Sequence, residues 1–123
     1  MDKIFLKNCE FYGFHGVLPE ETALGQRFVI SLILEMDTRI PGKSDEVSET
    51  VSYADVFDTM RVIVEEECYK LLETLTDRLA MVILEQYPLI EFVTVTAEKP
   101  RPPINGHFES VAVEIKRSRK DIE

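Results

Sequence analysis

Phe28-Val29-Ile30-Ser31-Leu32-Ile33-Leu34-Glu35-Met36-Asp37 is the stretch on which the fold turns. Phe28, Ile30, Leu32, Leu34 and Met36 share one face, and Val29, Ser31, Ile33, Glu35 and Asp37 share the other. A period of two predicts a β-strand with one strongly apolar face, and that face needs a cover. Upstream, Ile4, Leu6 and Phe11 to Phe14 predict a long first strand, interrupted near Asn8. Downstream, Val93, Val95 and Ala97 alternate with Thr94, Thr96 and Glu98, and Val111, Val113 and Ile115 alternate with Ala112, Glu114 and Lys116. These segments predict two more strands. Between them Pro100, Pro102 and Pro103 remove ladder donors and force a turn.

The cover lies in the middle of the chain. Ser52 before Tyr53-Ala54-Asp55 is an acidic variant of a capping box, and Val56, Met60, Ile63 and Val64 follow at helical spacing. Leu72, Leu75, Leu79, Val82 and Ile83 form a second helical stripe that ends before Pro88. Ile40 to Asp45 reads as a loop, and Glu20-Glu21 falls in the loop before the second strand. The order is ββααββ, which predicts an α+β domain: a four-stranded antiparallel sheet with two helices on one face. One domain spans residues 1–123, with 118–123 as a fraying tail. An exposed sheet edge invites pairing with another subunit, so an oligomer is expected.

The formal charge of −9 disfavours nucleic-acid binding, because such a surface repels phosphates. Lys116, Arg117, Arg119 and Lys120 are the one basic cluster, and acidic residues flank them. No apolar run approaches the roughly 18 residues of a membrane span. Met1 to Leu6 shows no secretory leader, so a cytoplasmic setting is expected. Cys9 and Cys68 form no disulfide framework and read as small buried hydrophobes. No HxH, HExxH or paired CxxC is present, nor a glycine-rich phosphate fingerprint, so neither a metal nor a bound cofactor is expected.

Several residues could carry chemistry, each with a plainer reading beside it. Phe11-Tyr12-Gly13-Phe14-His15-Gly16 is either a site segment or a strand end with glycines for its turn. A lone histidine such as His15 is more often hydrogen-bonded structure than catalyst. Glu73 sits in the first turn of the second helix, where the dipole favours an anion. Such a carboxylate can accept two parallel hydrogen bonds from an amidine-like edge, or it can be ordinary first-turn charge. Lys99 ends the third strand on a proline-stiffened support, which suits a positioned acid or base but also a solvated strand end. Tyr53 is either a phenol at a cleft or a half-buried packing residue.

Taken together, Phe11 to Gly16, Gly25 to Phe28, Thr50 to Tyr53, Leu71-Leu72-Glu73 and Lys99-Pro100 through Gly106-His107-Phe108 resemble the dihydroneopterin aldolase family in order and spacing, over about residues 3 to 117. The resemblance implies the tunnelling fold, in which four subunits join their sheets into a barrel and two rings stack as a homo-octamer, with active sites between subunits. It implies retro-aldol cleavage of 7,8-dihydroneopterin, a folate precursor, to 6-hydroxymethyl-7,8-dihydropterin and glycolaldehyde, often with epimerisation. It also implies roles for single residues. Glu73 would grip the pterin N3–H and 2-amino group, and backbone groups at Leu72 and Val51 would hold other ring edges. Lys99 would stabilise charge and move protons, and Glu21 would bind the side-chain hydroxyls beside it. Tyr53, from a neighbouring subunit, would help protonate the intermediate. Ser52 departs from a histidine that some relatives carry there, and Asn105 from a frequent proline. The rival readings are a dihydroneopterin triphosphate epimerase, which needs clustered cations from among Arg27, Lys70 and Arg101, a zinc-dependent enzyme of the same fold, disfavoured by the missing histidine ligands, and a non-catalytic pterin-binding protein.

Overall fold

A computed structural model describes residues 1–123. The decisive stretch lies in strand β2, Gln26–Met36, whose even-numbered apolar residues from Phe28 to Met36 are all buried. It sits between β1, Asp2–Gly13, and β3, Phe92–Lys99, and β4, Val111–Ser118, completes the sheet. The order is β1-β2-β3-β4, with every pairing antiparallel, so β1 and β4 are the edges. Val93, Val95 and Ala97 of β3 bury the same face as the β2 set.

The interruption expected near Asn8 is a β-bulge. Leu6 pairs with Leu32 and Cys9 with Ile30, so Lys7 and Asn8 together stand opposite Ser31. Asn8 takes φ 53°, its N–H donates to Ser31 Oγ at 2.9 Å, and that hydroxyl donates to Asn8 Oδ1 at 3.3 Å. The extra residue reverses the parity of β1, so Leu6 before it and Phe11 after it both face the core.

Helices α3, Tyr53–Glu66, and α4, Leu72–Gln86, cover that face, α3 against β1 and α4 against β3 and β4. Their buried residues include each member of the two stripes read from the sequence. Ser52 caps α3, its hydroxyl accepting from Asp55 N–H at 3.3 Å.

Two segments read as loops contain short helices: α1, Pro19–Leu24, and α2, Arg39–Ser44. Each has its proline in the first turn, where an N–H has no intrahelical partner to lose, so a residue that marks a break mid-helix starts one here. The C-terminal tail also departs from expectation. Arg119 donates to the carbonyls of Ile90 and Leu84, both at 2.6 Å, and Ile122 packs on the core, so 118–123 docks as a short 3₁₀ turn. Two members of the basic cluster are ion-paired in place, Lys116 with Glu35 at 3.0 Å and Arg117 with Asp77 at 3.5 Å. No helix is long and apolar enough to cross a membrane.

Candidate active site

The turn after β1 and the start of α1 bring the first carboxylate inward. Glu21 is only 8% exposed, although it was read as a loop residue. Its Oε1 accepts the Leu18 N–H at 3.2 Å, and its Oε2 accepts from Gln26 Nε2 and Lys99 Nζ, both at 2.8 Å. Burial pushes this carboxyl up, but the three donors outweigh it and leave the group below the ordinary carboxylate value. Gly16 lies against it: a Cβ at that position would fall inside contact distance of the Glu21 carboxyl, and φ is +154°. The glycine in this motif therefore makes room for a buried anion.

Lys99, at the last position of β3, is itself only 13% exposed at its side chain and forms an ion pair with Glu21 at 2.8 Å. The two residues are far apart in sequence and meet because β1, β2 and β3 lie side by side. Their cleft has a volume of about 400 Å³. Val17 and Leu18 line it with Glu21, Lys70 to Glu73 form a second wall, and Pro102 to Ile104 lie beyond Lys99.

Glu73 stands in the first turn of α4, and its carboxylate makes no hydrogen bond or ion pair within the chain. The helix N-cap, Leu71, has no side-chain acceptor, so the first-turn N–H groups stay open to a ligand. One wall thus offers a free carboxylate beside free backbone donors, the complement of a flat ring with an N–H/NH₂ edge next to a carbonyl. The other offers an ammonium and a carboxylate held in contact, a pair that can bind hydroxyls and transfer protons.

Of the residues proposed from sequence, Glu21, Leu72, Glu73 and Lys99 line this one cleft. Val51 and Tyr53 do not. Val51 is buried and borders a separate cleft with Tyr87 and Leu89, and Tyr53 is 69% exposed at the start of α3. The phenol is not the half-buried packing residue of the plainer reading. Arg27 and Arg101 share a different cleft from Lys70, so the three cations considered for a triphosphate do not converge within one chain. Gln26 lies within a family motif, but nothing in its local sequence pattern signals a bond to Glu21. Cys9 is half-buried, whereas Cys68 is exposed, donating from Sγ to the Phe14 carbonyl at 3.0 Å rather than packing as a core hydrophobe. Within one chain no three His, Cys, Asp or Glu side chains gather as metal ligands.

Comparison with known proteins gives a consistent result. The family model described as "FolB: Dihydroneopterin aldolase" matches residues 4–116. The dihydroneopterin aldolase of Bacillus subtilis (strain 168) is 44% identical over 119 residues, covering 97% of this chain and 99% of that protein. The crystal structure of E. coli dihydroneopterin aldolase in complex with neopterin superposes with a TM-score of 0.88 at 27% identity, covering 96% of this chain and 100% of the other. A dihydroneopterin aldolase from Burkholderia thailendensis, bound to guanine, gives a TM-score of 0.75 at 27% identity, over 96% of this chain and 91% of the other. Neopterin and guanine share one chemical feature, a 2-amino-4-oxo pyrimidine edge.

Proposed function

This chain belongs to the dihydroneopterin aldolase family, and from that premise we propose how its cleft divides the reaction. It acts as a 7,8-dihydroneopterin aldolase of folate biosynthesis, a carbon–carbon lyase that releases 6-hydroxymethyl-7,8-dihydropterin and glycolaldehyde. The observation that carries the mechanism is that Glu73 and the Lys99–Glu21 pair line the same cleft.

Glu73 accepts the N3–H and 2-amino hydrogens of the pterin, and open N–H groups at the start of α4 donate to its 4-oxo oxygen. This places the side chain toward Lys99 and Glu21. Glu21 orients the side-chain hydroxyls, and the proton leaves the 2′-hydroxyl through the Lys99–Glu21 pair. The C1′–C2′ bond breaks, its electron pair passes into the C6=N5 double bond, and N5 takes up a proton. Glycolaldehyde departs, and the remaining enol is protonated at C1′ as N5 returns its proton. Atoms and charges balance with no imine and no metal ion, because the ring itself accepts the electron pair. Positioning and proton transfer are what the protein supplies. Re-addition of glycolaldehyde to the opposite face before release gives the 2′-epimer.

Tyr53 helps protonate the enol, and the 51–53 segment reaches the ring from a neighbouring subunit. The exposure of the Tyr53 phenol in one chain, and the separation of Val51 and Tyr53 from the cleft, support that reading. The free edges β1 and β4 would then pair between subunits, closing barrels that stack as an octamer.

The test is incubation with 7,8-dihydroneopterin while glycolaldehyde is measured, with and without EDTA. Release unaffected by EDTA is the expected result. Tight pterin binding without release would favour a non-catalytic binding protein, and loss of release with EDTA would overturn the metal-free step. Gly16→Ala pushes Glu21 off Lys99, and a misplacement of about 1 Å is enough to lower turnover on the order of 10²-fold. Wild-type turnover in that variant would show that Glu21 needs no such placement.

A further inference from the structure

His15 is 1% exposed and is absent from the chemistry above, although its neighbours form both walls of the cleft. Its hydrogen bonds define a single tautomer. The Val64 carbonyl, 2.7 Å from Nε2, can only accept, so Nε2 carries the hydrogen. The Tyr69 backbone N–H, 3.0 Å from Nδ1, can only donate, so Nδ1 is bare. Next to this contact the Gly16 N–H donates to the Tyr69 carbonyl at 2.9 Å. Tyr69 is therefore held by both of its backbone polar groups. Its ring stacks on the imidazole at 5.9 Å, and its hydroxyl donates to Glu67, which also receives Arg78 at 3.0 Å. Immediately after Tyr69 come Lys70 to Glu73, and immediately after Gly16 come Val17 and Leu18, the two facing walls.

We infer that His15 is a positioning residue: through the Tyr69 backbone it fixes the Lys70–Glu73 wall at the spacing at which Glu73 grips the ring. This rests on the pterin reading of the cleft. The neutral imidazole is essential, because a proton on Nδ1 would confront the Tyr69 N–H. The surroundings keep it neutral. Burial and Lys99 on β3 lower its affinity for a proton, against the opposing pull of the Val64 carbonyl and Glu67 at the end of α3, and apolar Phe28 on β2 packs edge-on against the ring.

His15→Leu removes the acceptor, whereas His15→Asn keeps an oxygen near the place of Nδ1. His15→Leu is expected to raise KM for 7,8-dihydroneopterin about tenfold, the size of one lost buried hydrogen bond, with kcat within about threefold. His15→Asn is expected to recover most of that loss. An unchanged KM in His15→Leu, or no recovery in His15→Asn, overturns the inference while leaving the aldolase reading intact if the wild type cleaves. A wild type that neither binds nor cleaves the pterin removes both. Nitrogen-15 NMR of the wild-type protein needs no variant to fold: an Nε2–H tautomer is expected, and an Nδ1–H signal overturns the clip. Thermal melts supply a pH readout. The folded group titrates below the ordinary histidine value of about 6.5, so the unfolded chain takes up the proton first. The stability owed to His15 is complete above that value and is lost as pH falls through the lower folded one. That sloping region is expected in wild type and absent in His15→Asn.

Discussion

Lys99→Ala is expected to lose about 10²–10⁴-fold in kcat for 7,8-dihydroneopterin, the usual worth of one positioned acid–base group. Pterin affinity should change little, because the proposed ring contacts are those of Glu73 and the α4 backbone and neither depends on Lys99. The variant also strips a buried carboxylate of its cation, although Gln26 and the Leu18 N–H still satisfy Glu21. Lys99→Arg separates charge from proton transfer. A guanidinium keeps the positive charge but does not give up a proton at working pH, so this variant should stay slow. Turnover within tenfold of wild type in Lys99→Ala would place the proton transfer elsewhere.

Glu73→Ala is expected to weaken pterin binding on the order of 10²-fold. Two charge-assisted hydrogen bonds disappear together, and each is typically worth about 1.5–3 kcal/mol before the ring finds other partners. The fold should barely notice. The carboxylate is exposed and bonds nothing within the chain, and a favourable first-turn charge contributes only about 0.3–1 kcal/mol. Calorimetric titration with a pterin, beside a thermal melt, separates the two effects. Guanine makes a sharper probe, since it presents the same edge without the hydroxylated side chain: its affinity should fall with Glu73→Ala and hold with Lys99→Ala. Equal affinities for wild type and Glu73→Ala would remove Glu73 from the grip.

What could be read in the sequence divides along physical lines. The face of β2 was legible because alternation over its whole length leaves one arrangement that hides Phe28 through Met36. The two helices were legible from their stripes. The break at Asn8 could be located, but its purpose, reversing parity so that Leu6 and Phe11 both reach the core, needs the pairing partner Ser31, which no local pattern supplies. The short helices α1 and α2 escaped because proline in a first turn looks like a breaker. The docking of Arg119 on the carbonyls of Leu84 and Ile90 escaped because a carbonyl acceptor carries no side-chain signature.

The site follows the same division. Glu73 and Lys99 were visible as residues at ends of elements, but local context argued for solvated charge in both cases. Glu21 looked like a loop carboxylate, and only the adjacency of β1, β2 and β3 brings it to Lys99. The glycine at position 16 was visible and its reason was not, since the atom it makes way for belongs to Glu21. His15 read correctly as hydrogen-bonded structure, while the partners that give it a task, Val64 and Tyr69, lie about 50 residues away along the chain. Family motifs assembled these pieces where periodicity alone could not.

The most direct test of the mechanism is to offer 5,6,7,8-tetrahydroneopterin in place of the dihydro substrate. It keeps the edge proposed to bind Glu73 and the hydroxylated side chain proposed to face Lys99, but its N5–C6 bond is single, so the ring has nowhere to receive the electron pair. Binding comparable to that of the dihydro compound, with no glycolaldehyde released, is the predicted result. Release at a comparable rate would mean that the electrons go elsewhere, and the account of this cleft would be wrong.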